Sequence, residues 1–125
     1  MISAVLRVDG RAAVPCVELA LGMRSRMVGL MGRRGLGAER ALFLHPCGGI
    51  HTAFMRFSLD VAFLDREMRV LRVVRGVRPW RCVFGGARAR SVIEMEAGWL
   101  PEDGLPVGAT VSLDPEPCGA PRRTE

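Results

Sequence analysis

Lysine, tyrosine, asparagine and glutamine are absent from this chain of 125 residues, and aromatic residues make up only 6% of it. All eighteen basic residues are therefore arginine. The loss of four residue types at once is a bias of the whole composition, so a formal net charge of +5 does not by itself name an acidic partner. The basic cluster that stands out, Arg24, Arg26, Arg33, Arg34 and Arg40, has no aromatics interleaved and no zinc-finger or RNA-binding signature, so nucleic acid is not expected as a partner. No apolar run approaches the 18 residues of a membrane span, and Arg7 and Asp9 break the opening segment too early for a signal-peptide core. A protein of the cytoplasm, off the membrane, is the expectation.

Paired cysteines are also missing. Cys16, Cys47, Cys82 and Cys118 stand far apart with no CxxC, which fits reduced thiols acting as small apolar fillers. His45, Cys47 and His51 supply three ligand types within seven residues, but no fourth ligand accompanies them and the spacing matches no common zinc site. Neither a metal nor another cofactor is expected. The Gly-Arg-Arg-Gly-Leu-Gly stretch at 32–37 lacks the Lys-Ser/Thr of a phosphate-binding loop.

The chain does hold 49% hydrophobic residues, enough for one core and too few positions for two domains. Residues 1–113 read as a single domain and 114–125 as a Pro-rich, flexible tail. Strands are expected over 2–8 with a turn at Asp9-Gly10, over 12–14, 41–44 and 69–74, at 91–97 with Glu94 and Glu96 outward, and at 109–113. One helix is expected between Cys16 and Met31, where Leu19, Met23, Met27, Leu30 and Met31 recur near a 3.6-residue period. The fold class is thus mostly β, a compact antiparallel sandwich or partly open barrel with one flanking α-helix.

The segment most suited to chemistry runs from His51 to Asp65. Read as extended chain, it puts Ala53, Met55, Phe57, Leu59, Val61 and Phe63 on one face and Thr52, Arg56, Ser58 and Asp60 on the other. With His51 nearby, these five polar residues are the candidate ligand contacts. Asp60 and Asp65 would face opposite sides about 16 Å apart, which argues against paired-acid hydrolysis. Arg56 and Asp60 would stand about 13 Å apart, so a direct ion pair needs a bend. A buried Asp60 must find backbone amides or an arginine. His51, Ser58 and Asp60 lack a nucleophile elbow. Trp80 and Trp99 are expected as core or lid residues.

Three readings follow. The first is a domain that binds a small molecule or peptide at the polar face of 51–65. The second is a hydrolase using the same cleft. The third is a structural or protein-interaction module without a ligand site. Nothing in the sequence fixes an oligomeric state.

Longer motifs carry a family likeness. Arg26-Met-Val-Gly-Leu-Met-Gly-Arg33, Pro46-Cys47, His51 to Asp65, Val70-Leu-Arg-Val73, Pro79-Trp80-Arg81, Val92 to Gly98 and Leu105 to Gly108 together resemble the DUF192 (UPF0127) family of small bacterial and archaeal proteins. The resemblance covers residues 5–113 and implies a compact β sandwich with a flanking helix. It implies no established activity or cofactor. Ser58 stands where the family usually has proline, and Ala53 where a larger residue is common.

Overall fold

The computed structural model describes residues 3–20, 40–53, 55–98, 100 and 104–116. Nine strands are formed among them: β1 (Ser3–Val8), β2 (Arg11–Ala20), β3 (Arg40–Leu44), β4 (Gly49–His51), β5 (Leu59–Leu64), β6 (Val70–Val77), β7 (Cys82–Phe84), β8 (Ser91–Glu96) and β9 (Val111–Pro115). Seven make one sheet in the order β6-β5-β8-β3-β2-β1-β9, and β4 with β7 makes a separate two-stranded ribbon.

Two expectations about fold class are corrected. Among the described residues there is no helix, and the first part of the expected helix continues a strand through Ala20. The remaining positions, 21–31, lie outside the described residues. The strand wins because the branched Val17 has a neighbour on each side, Ala4 of β1 antiparallel and Ala41 of β3 parallel. That parallel pair departs from an all-antiparallel sheet. The second correction is that one seven-stranded sheet with a separate two-stranded ribbon takes the place of the sandwich, one of the two expected arrangements.

Apolar residues cover both faces of the sheet. One cluster joins Val70, at the start of β6, to Val111 of β9 through Leu6, Val17, Phe43, Leu64 and Ile93. Because this cluster unites strands from both ends of the sheet order, the sheet must curl around it. An isolated bridge between Arg69 and Thr110 brings the two edges together at one end, with the Val70 N–H donating to the Ala109 carbonyl at 2.9 Å. A second cluster on the other face contains Leu42, Leu44, Val61, Phe63 and Val92, and the ribbon caps it with Ile50 and Val83.

Burial on both faces explains why Glu94 is buried, contrary to its expected outward position. β8 lies inside the sheet between β5 and β3, so neither of its faces meets solvent freely. β9 runs two residues past the expected tail boundary, pairing Asp114 with Val5 and Pro115 with Ala4. Proline is accommodated there because β9 is an edge strand.

Candidate functional site

The segment from 51 to 65 is not one strand. β4 ends at His51, a connection covers 52–58, and β5 begins at Leu59, so side-chain alternation cannot be carried across the whole run. This separates the five candidate residues.

Asp60 is 3% exposed and shares its face of β5 with Ala62 and Leu64. Opposite it, the register moves from Leu59–Val77 to Val61–Val74, which leaves one extra residue on β6. Such a bulge takes a backbone donor out of the ladder. The freed Gly76 N–H donates to Asp60 Oδ1 at 2.9 Å, and the Gly98 N–H donates to Oδ2 at 3.1 Å. Both glycines have positive φ, +67° and +96°, a conformation side-chain-bearing residues rarely adopt. The nearby cation is Arg75, with Nη1 3.8 Å from Oδ2, and the same nitrogen donates to the Leu100 carbonyl at 2.8 Å. Asp60 therefore ties β5 to β6 and to the end of β8. Its oxygens face these amides and Arg75, not Arg56, which is exposed and has no partner among the described residues.

Thr52 is fully buried and acts as a clasp. Its hydroxyl donates to the Arg78 carbonyl at 2.6 Å and accepts from the Arg81 N–H at 2.8 Å. Its carbonyl accepts from the Trp80 N–H at 3.0 Å. The link between β6 and β7 is thereby held against the chain leaving β4. Ser58 is half-buried, and its carbonyl accepts from the Ala97 N–H at 2.9 Å. His51 is exposed and sits directly opposite Cys82 in the ribbon. His45, also exposed, stacks on Phe43 and has Nδ1 2.7 Å from Ser91 Oγ. At the far end of β5, Asp65 turns the chain into β6. The Arg69 N–H, and then that of Glu67, donate to its Oδ1 and hold the carboxyl below its ordinary value.

No group of three or more His, Cys, Asp or Glu residues is arranged to hold a metal among the described residues. Cys47 and Cys82 have free thiols, the first buried and donating to the Gly49 carbonyl, the second exposed. Cys16 is disulfide-bonded, which corrects the expectation of four reduced cysteines.

The outer face of the ribbon was not among the expected sites. Ile50 and Val83 point inward, so alternation turns Gly49, His51, Cys82 and Phe84 outward. Phe84 is 66% exposed and Trp80, two residues before β7, is 61% exposed, where core or lid burial was expected for tryptophan. Trp99 lies outside the described residues. A Cβ on Gly49 would come within 2.5 Å of the Phe84 ring, so the ring lies over the glycine.

The stretch of chain that carries these aromatics also carries a basic set larger than the cluster at 24–40, of which Arg72, Arg78 and Arg81 lie nearest to them. Residues 66–90 hold eight arginines, six of them at every third position from Arg66 to Arg81, against one acid, Glu67. All eight are exposed. Arg72 reaches across from β6 and donates to the Phe84 carbonyl at 2.6 Å, which places the two elements side by side. A windowed charge count would have found this set. Its proximity to exposed aromatics needed the fold.

The DUF192 family model, described as "Uncharacterized ACR, COG1430", matches residues 4–113. UPF0127 protein PH1112 of Pyrococcus horikoshii is 37% identical over 87 residues, 66% of this chain and 73% of that one. A crystal structure of a protein of unknown function from Novosphingobium aromaticivorans superposes with a TM-score of 0.73 at 22% identity, covering 90% of this chain and 84% of the other. A Sinorhizobium meliloti protein provisionally described as a transcription regulator gives 0.74 at 20% identity, covering 89% and 93%. At those identities the two structures establish a shared fold. No helix among the described residues is long and apolar enough to cross a membrane.

Proposed function

The chain belongs to the DUF192 family, and from that premise we propose that it is a binding module whose recognition surface is the outer face of the β4–β7 ribbon with the adjoining link, and whose ligand is anionic. The observation that carries this reading is the exposure of two large aromatic side chains, Trp80 and Phe84, on one short structural unit beside exposed arginines. Scattered single apolar residues on a surface need no explanation, but aromatics set among cations are the composition of contact surfaces.

In this reading the five candidates of the 51–65 segment divide. His51 and Arg56 are the accessible contacts. Thr52, Ser58 and Asp60 are positioning residues that hold the surface in shape through backbone hydrogen bonds. A catalytic use of His51 with Asp60 gains no support, because the two carboxylate oxygens already accept from Gly76 and Gly98.

The test is a titration of isotope-labelled protein with pyrophosphate and with a short polyglutamate peptide, followed by amide chemical shifts. Movement confined to residues 49–56 and 78–84 with at least one probe is expected. Shifts centred on β1, β2 and β9, or none with either probe at low salt, would overturn the reading.

A further inference from the structure

We infer that the anionic ligand of this surface is a single-stranded nucleic acid, its bases stacking on Trp80 and Phe84 and its phosphates meeting the arginines at 72, 78 and 81. This deepens the preceding proposal and rests on it.

The first ground is where the charge lies. A genome-wide preference explains why every cation is arginine, but not why residues 66–90 carry seven net positive charges in a chain whose total is +5. The remainder of the chain is net acidic. Positive charge gathered on one stretch is the electrostatic footprint of a polyanion partner.

The second ground is the aromatics. They are absent from the 24–40 cluster, which is why nucleic acid was not expected there, but present here. Along extended chain, Trp80 and Phe84 are at most about 13 Å apart, and Arg72 touches the Phe84 carbonyl. Every base has a π face, so exposed rings flanked by cations bind unpaired bases with little sequence preference. Duplex bases are stacked on each other and unavailable to such rings. An acidic peptide would satisfy the arginines but leaves the two rings without a function.

The third ground is rigidity. The Phe84 ring lies against Gly49, and the Trp80 N–H donates to the Thr52 carbonyl, so the backbone that carries both rings is held by the ribbon and its link.

The experiment is fluorescence anisotropy of the whole chain with a labelled 12-nucleotide single strand, an abasic strand of the same length, and labelled polyglutamate, each from low to moderate salt. Binding to the base-bearing strand is expected to fall as salt rises. It should weaken about thirtyfold or more in the Trp80→Ala/Phe84→Ala double variant, which removes both stacking platforms. An Arg78→Glu/Arg81→Glu variant should lose binding and flatten the salt dependence. Unchanged urea midpoints in both variants would establish that they remain folded; a variant that fails this check is replaced by Phe84→Ala or Arg78→Glu alone.

Equal affinity for the abasic strand, or tighter binding of polyglutamate with no effect of the aromatic substitutions, would overturn the nucleic-acid inference while leaving an anion-binding surface. Absence of binding to all three at low salt would overturn both.

Discussion

Asp60 is a carboxylate held where water hardly reaches, and its two oxygens are matched by two backbone amides that no strand ladder uses. Replacing it with alanine removes both acceptors at once and takes the carboxylate partner from the Gly76 and Gly98 amides. Asp60→Ala should therefore lower unfolding free energy by about 1–3 kcal/mol, read from urea denaturation, with Asp60→Asn intermediate because it keeps one carbonyl oxygen. An unchanged midpoint for Asp60→Ala would contradict the structural role. Sequence reasoning already requires amides or an arginine around a buried Asp60. It does not identify Gly76 and Gly98, because these approach from 16 and 38 positions away, and the first is released only by a bulge. The same limit applies to Arg56. Four positions of ideal extended chain put it on the face of Asp60, whereas the strand begins only at Leu59.

Among the elements, β1, β3, β6 and β8 stand close to where branched and alternating residues predict them, and the Asp9-Gly10 turn forms with φ of +48° and +86°. These are positions where local preference and burial agree. β2 is misread because Leu19 and the methionines beyond it repeat with a helical period, while its pairing with two neighbouring strands is a tertiary fact. Val70 and Val74, which strict alternation along the strand expected over 69–74 would put on one face, join different clusters because a second register shift lies between Phe63 and Leu64. Gly85, just after β7, offers a test of how the ribbon meets the sheet. A Cβ there would lie 2.5 Å from the ring of Phe63, which is fully buried, and 2.6 Å from Ala89. Gly85→Ala should cost about 1–3 kcal/mol through overpacking. Gly49→Ala meets the exposed Phe84 ring, which can swing into solvent, and should cost less while moving Phe84 ring signals in NMR spectra. The opposite order of thermal stabilities would refute this account of the two contacts.

At the scale of the whole molecule, the two apolar clusters and the bridge between Arg69 and Thr110 divide the structure into regions of unequal depth. β5 is buried along its full length and flanked on both sides, as is nearly all of β8. The ribbon is three residues long in each strand and rests on the sheet by one side. Hydrogen exchange should accordingly find the β5 and β8 amides opening only with global unfolding, while those of Ile50 and Val83 exchange earlier through local opening. Equal protection in ribbon and sheet would show that the two unfold as one unit.

The contact between Phe84 and Gly49 has a consequence for the shape of the recognition surface. With a hydrogen in place of a methyl at Gly49, the Phe84 ring can lie flat against the ribbon backbone, so ring and ribbon form one continuous surface. If this surface binds an anion as proposed, encounter would be governed by long-range attraction to the arginines. A glycine with no functional group of its own would thus help to shape the face on which that encounter ends.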